Sequence, residues 1–171
     1  MSITPTFLLI PGAWHLPAYM DPVISYLSNH SYPSVAVTLP AVNSYPAVTS
    51  IQSDVTVAAD ALTALLNNGS DVIVVMHSYG GMVGTDAVGK VVAERAGHGN
   101  GGGSSPCKRK VKKKSGKIRR LVYVAAHIPL EGQTLFEAID WAVQEPPPPP
   151  THIEVEVGSC THLPLFGQAI I

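Results

Sequence analysis

Apolar positions along the chain fall into short unbroken runs separated by stretches of helical period. The first run, TPTFLLIPG, is nearly continuous and closes on Pro11-Gly12, the pattern of a strand buried on both faces. Asp21-Pro22 then predicts an N-cap followed by proline at the first helical position, opening a helix over DPVISYLSNH. YPSVAVTLP reads as a second strand closed by Pro40, and AVNSYPAVTS as a loop rich in turn formers. In DVTVAADALTALLNN, Val55, Ala58, Ala59, Leu62, Leu65 and Leu66 share one helical face, and Gly69 stops the helix. DVIVVM is the most strand-like run of all, GGMVGTDAVGKVVAERA a helix rich in small residues, and IRRLVYVAA a fourth strand. GQTLFEAIDWAV predicts a fourth helix. Strands that are apolar throughout and alternate with helices predict an α/β fold: an open, doubly wound, mostly parallel sheet covered on both faces.

Two segments interrupt this alternation. Residues 97–117, GHGNGGGSSPCKRKVKKKSGK, join a flexible Gly/Ser tract to a basic run, and residues 146–150 form a stiff polyproline spacer. The domain expectation is therefore a core over 1–145 carrying the insert at 97–117, the spacer at 146–150, and a tail at 151–171. Within that tail THIEVEV alternates as a strand would.

Composition narrows the classes. With 171 residues, 46% hydrophobic and 13% charged, the chain is long enough to bury a core and too apolar for a disordered segment. No apolar run reaches the ~18 residues of a membrane helix, and the N-terminus has no basic region of the kind that opens a signal peptide. The expectation is a cytoplasmic protein that makes no membrane contact. Cys107 and Cys160 are far apart and have no metal-ligand spacing, so they read as free thiols. The net charge of −1 conceals a basic insert in an acidic domain, since Lys and Arg concentrate between Lys108 and Arg120. KRKVKKK offers a nuclear alternative for location. It has no interleaved aromatic for base stacking, so a solvated surface insertion is preferred to nucleic-acid binding.

The chemistry-bearing stretch is VVMHSYGG, residues 74–81. A serine between a buried strand and a helix start has two readings, an ordinary helix N-cap or the apex of a nucleophile elbow. The elbow needs small residues where strand and helix approach; Gly80 and Gly81 supply them on the helix side, while Met76 stands where the first glycine is usual. PGAWH, after the first strand, is a glycine turn whose backbone N–H groups can point into the same site. Two other glycine motifs fail on context. Gly97–Gly102 satisfies G-x-G-x-x-G but follows a helix, and Gly84–Lys90 resembles a P-loop but lies inside one and has Val91 in place of Ser/Thr.

Together, FLLIPGAWHLPAYMDPVISYLSNHSYPSVAVTLPAV, VIVVMHSYGGMVG and IRRLVYVAAHIPLEGQTLFEAI resemble the N-terminal half of an α/β-hydrolase, covering residues 5–96 and 118–140. The branch most resembled holds plant methylesterases, hydroxynitrile lyases and similar fungal proteins. The resemblance implies that Ser78 is the nucleophile and that the backbone N–H groups of Ala13 and Tyr79 form the oxyanion hole. It implies no cofactor and a small-molecule, ester-like substrate. Pro11 replaces the histidine usual before this glycine turn. In such folds the acid and histidine follow later strands, so the chain reads as a hydrolase cut short, and this polypeptide alone is expected to turn over esters poorly. Within it, His162 in CTHLPLF is the candidate base, although little chain separates it from Ser78; Glu131 and Asp140 are acids within reach that read first as solvated helix residues. His77 and His127 read as packing or pocket lining, and His15 as either pocket mouth or surface. A second reading is a non-catalytic relative that binds a ligand or a partner. Oligomeric state and substrate identity are not encoded in these motifs.

Overall fold

The computed structural model describes residues 4–42, 44–97 and 115–128, together with Gly132, Thr134 and Glu137. Strand β1 (Thr6–Ile10) leads through a 3-10 turn (Pro17–Met20) into helix α1 (Asp21–Asn29), then β2 (Ser34–Ala36). Helix α2 (Gln52–Asn67), strand β3 (Val72–His77), helix α3 (Gly80–Gly97) and strand β4 (Ile118–Val124) follow. The four strands form one sheet in the order β2-β1-β3-β4, every neighbouring pair parallel. This is the predicted doubly wound α/β sheet.

Residues of β1 and β3 on one face of the sheet (Leu8, Ile10, Val72, Val74, Met76) pack against Val55, Ala58, Leu62 and Leu66 of α2 and Val83, Ala87 and Val91 of α3. Each such large side chain, fully buried, is worth roughly 1.5–3 kcal/mol, so this layer dominates the stability. The right-handed crossover rule sends α1 to the opposite face, because β1 to β2 runs the other way along the sheet from β2 to β3. There Phe7 meets the edge of Tyr32, ring centroids 5.5 Å apart.

Three local expectations are corrected. Asp21 is not an N-cap: it is already helical (φ −55°, ψ −39°), because the 3-10 turn runs straight into α1. The second strand pairs only over Ser34–Ala36, much shorter than YPSVAVTLP. The fourth strand ends at Val124, and Ala125 turns out with φ 41°. Of the expected fourth helix, the described residues include a reciprocal pair: the Thr134 N–H and hydroxyl donate to Glu137 Oε2, both at 2.7 Å, and the Glu137 N–H donates back to Thr134 Oγ1 at 3.3 Å. That is a capping box, and these bonds hold the Glu137 carboxyl below its usual pKa. The basic run, the polyproline, THIEVEV and His162 lie outside the described residues.

The return from the insert is clamped by Asp71, just before β3. Its carboxylate accepts from the Lys117 N–H at 2.9 Å and from Arg119 Nε and Nη2 at 2.9 and 2.6 Å. Its backbone carbonyl accepts from Thr6 N–H at 2.7 Å, so one residue ties β1, β3 and β4. Arg119 is the extra residue where the β3–β4 register shifts, and the bulge frees its side chain for Asp71.

The Arg119 bond, first, and the Lys117 N–H hold the Asp71 carboxyl below its usual pKa. A depressed carboxylate adds stability that is complete above its unfolded pKa, about 3.9, and is lost as pH falls through the native value. Asp71→Asn should therefore unfold at lower urea than wild type at pH 7. The gap should close as pH is taken below about 4, which urea melts at several pH values would show.

Candidate active site

Register places the site. Ile10 pairs with Met76, so β1 and β3 end level and the turns after them leave side by side. This is also where the sheet changes direction, since the chain leaves β1 toward β2 on one side while β3 lies on the other. Open α/β sheets bind ligands at such points.

Ser78 is the apex of the turn from β3 to α3, with φ 51°. For a residue with a Cβ that conformation costs roughly 1–2 kcal/mol, and the surroundings impose it. The Ser78 N–H donates to the Val124 carbonyl at 3.2 Å; its carbonyl accepts from the Gly81 N–H at 2.9 Å and the His127 N–H at 3.2 Å. α3 begins two residues later, and a Cβ on Gly80 would press into the carbonyl oxygens of Ile10 and Pro11. Backbone cannot yield there, so glycine is required.

Met76 shows how the irregular elbow is accommodated. It is fully buried and faces α3, where a Cβ on Gly84 would run into its Sδ and Cγ. The space that glycine usually leaves on the strand is here left by the helix, one turn in. Met76 and Gly84 exchange the roles of large and small.

The PGAW turn reaches the same point from β1. A Cβ on Gly12 would lie 3.2 Å from Ser78 Cβ, 3.0 Å from His77 Nδ1 and 3.3 Å from His15 Nδ1. Ala13 follows, and its carbonyl accepts a 2.7 Å hydrogen bond from His15 Nδ1. A carbonyl can only accept, so Nδ1 carries a proton. Trp14 adopts φ 61° and is 88% exposed. Among the described residues, the backbone N–H groups of Ala13 and Tyr79 donate to no hydrogen bond.

The structure thus brings Ser78, Tyr79 and the Ala13 turn together. His162, Glu131 and Asp140 lie outside the described residues. His77 Nδ1 is buried without a hydrogen-bond partner, and its ring stands edge-on to His15 at 5.5 Å. His127 contributes its backbone N–H to the Ser78 carbonyl. His30 donates from Nδ1 to the Tyr26 carbonyl at 2.8 Å, closing the end of α1. Among the described residues no histidine is hydrogen-bonded to a carboxylate, and no cluster of three or more His, Cys, Asp and Glu could hold a metal ion.

One participant was missed in the sequence. Asp54 is completely buried; its Oδ1 accepts from the Ala41 N–H at 2.9 Å and its Oδ2 from the Tyr79 hydroxyl at 2.8 Å. Burial, then the bond and the charge of Asp54, push the Tyr79 phenol above its usual pKa range. The available signal was positional: Asp54 stands on the same helical face as Ala58 and Leu62, where a carboxylate is out of place.

A parallel α/β sheet with a strained serine turn at its carboxyl edge is the architecture of α/β-hydrolases. The chain belongs to the alpha/beta hydrolase family, whose model matches residues 7–168. It is 30% identical to the "Alpha/beta hydrolase nvfD" of Aspergillus novofumigatus over 99 residues, 58% of this chain and 40% of that protein. It is also 30% identical to the "Probable hydrolase R7" of a Phoma species over 138 residues, 79% of this chain and 48% of that protein. The chain therefore spans about half the length of the curated relatives it matches. Its fold matches tomato methylketone synthase I, solved with 2-tridecanone, at TM-score 0.59 and 14% identity over 84% of this chain and 48% of the other. It matches polyneuridine aldehyde esterase at TM-score 0.56 and 16% identity, over 84% and 49%.

The exchange between Met76 and Gly84 is testable as a coupled pair. Met76→Ala should cost about 2–5 kcal/mol and Gly84→Ala about 1–3 kcal/mol. The double variant should lose clearly less than the sum, because the new methyl enters the space Met76 leaves. Denaturant melts of the four chains measure this.

Proposed function

We propose that the chain carries the nucleophile and oxyanion elements of a serine hydrolase that acts on a small ester-type substrate through an acyl-enzyme on Ser78. The observation that carries this reading is the φ of 51° at Ser78, set between β3 and α3 and beside the Gly12 turn. An ordinary N-cap serine takes extended backbone angles and needs no such strain.

Oγ of Ser78 attacks the acyl carbonyl carbon, and the carbonyl π pair moves onto oxygen. The backbone N–H groups of Ala13 and Tyr79, free among the described residues, stabilise that oxyanion together with the N-terminus of α3. The Ser78 proton passes to a histidine base, which returns it to the leaving alkoxide as the tetrahedral intermediate collapses. His162 is the candidate for that base. Water then repeats the sequence on the acyl-enzyme and releases the acid. The hydrolase names of the curated relatives and the esterase among the structural neighbours support ester chemistry as the class.

A non-catalytic, ligand-binding role is favoured by one observation: among the described residues no histidine–carboxylate pair stands by Ser78. A fluorophosphonate probe on the purified chain separates the two. The hydrolase reading expects low ester turnover and slow labelling confined to Ser78, absent in Ser78→Ala. Rapid labelling that Ser78→Ala and His162→Ala both abolish would place the base at His162. No labelling, or labelling unchanged in Ser78→Ala, would leave the binding role.

A further inference from the structure

We infer that Asp54 is a positioning residue for the Ser78 turn and acts through the Tyr79 side chain, an inference that rests on the reading of Tyr79 as an oxyanion donor. A carboxylate with no exposure, on the apolar face of α2, is a costly choice for packing alone. Burying an unpaired charge costs several kcal/mol, and an aliphatic side chain of similar size would fill the space without that penalty. Among the described residues Asp71 is paired with Arg119, and no ion pair is made by Asp54. Its charge is met by hydrogen bonds and by its place in the first turn of α2, where the helix dipole favours an anion.

The two bonds go to two other segments. Ala41 belongs to the loop after β2, and Tyr79 is the residue between the strained serine and the first residue of α3. The Tyr79 ring packs against the core, and its hydroxyl is anchored 2.8 Å from a group that cannot move without dragging α2. With the far end of the side chain fixed and Gly80 wedged against β1, the peptide between Ser78 and Tyr79 has little freedom left. That peptide carries the N–H assigned to the oxyanion. Catalytic geometry tolerates errors of about 0.5 Å and 10–20°, so a tie at this position sets how well the donor is aimed. An acidic residue here thus serves as a strut beneath the turn, outside the acid role of a triad.

Wild type, Tyr79→Phe, Asp54→Ala, Asp54→Asn and the Tyr79→Phe/Asp54→Ala double variant test this, once each is shown to melt cooperatively. The first readout is the rate of Ser78 phosphonylation against fluorophosphonate concentration; the second is amide hydrogen exchange over residues 78–83 and over β1. Tyr79→Phe and Asp54→Ala should each slow the limiting rate by about tenfold or more, with the half-saturating concentration within about twofold of wild type. The double variant should be no slower than the worse single, because both remove the same bond between Tyr79 and Asp54. Asp54→Asn, whose amide can still serve both partners, should keep most of the rate; in Tyr79→Phe and Asp54→Ala exchange should quicken at 78–83 while β1 is unchanged. Labelling of Tyr79→Phe within twofold of wild type, or losses that multiply in the double variant, would overturn the inference. If Asp54→Ala does not fold, Tyr79→Phe and Asp54→Asn decide it. If wild-type Ser78 takes no label, the hydrolase reading fails by itself. Exchange then judges the strut: faster exchange at 78–83 in Tyr79→Phe upholds it, and unchanged exchange removes it.

Discussion

Two parallel strands that end level, with two tight turns leaving them side by side, are the constraint from which the rest of the site follows. Because Ile10 pairs with Met76, the chain after β1 and the chain after β3 compete for the same few ångströms. Gly12 and Gly80 are the residues that let both through. One lies against Ser78 and His77, the other against the carbonyls of Ile10 and Pro11. The positive φ of Ser78 is the remaining consequence. The helix must start at once, and only a sharp apex turns the strand direction into the helix direction in so little chain.

Strain of roughly 1–2 kcal/mol at one residue is small beside the apolar layer beneath it. It persists because the Ser78 peptide groups are bonded on both sides, to Val124 on β4 and to Gly81 and His127 beyond the turn. Two separate stretches of chain, the start of α3 and residues 124–127, therefore hold the apex, and Asp54 adds a third from α2 through Tyr79. An apex held from several directions does not relax by moving one neighbour.

Much of this was legible in the sequence, for identifiable reasons. The stripe from Val55 to Leu66 and the run DVIVVM each carry one period over enough residues to exclude the alternative, and both elements form as read. The serine turn was legible because its strand, its glycines and PGAWH agree. What failed depended on neighbours distant in sequence. Asp21 looks like a cap until the preceding 3-10 turn makes it helical. Gly84 reads as one more small helical residue, and only the position of Met76 beneath it gives it meaning. Asp54 was passed over because counting apolar positions on a face does not ask why a charge shares it. The resemblance gave the family, whose matched region runs on to residue 168. It also placed His162 in a role that the described residues do not reach.

The clamp at Asp71 has a consequence for how this chain can vary. Arg95, near the end of α3, bonds the Ser115 hydroxyl, the Gly116 N–H donates to the Leu66 carbonyl at 2.8 Å, and Asp71 holds Lys117 and Arg119. The C-terminal end of the basic insert is thus moored to the scaffold by groups that lie outside it. The register of β4, and through Val124 the posture of Ser78, is set after the insert and independently of its length. The junction is a grafting port: evolution or an engineer can lengthen, recharge or replace what lies between Gly97 and Ser115 while the serine turn keeps its footing.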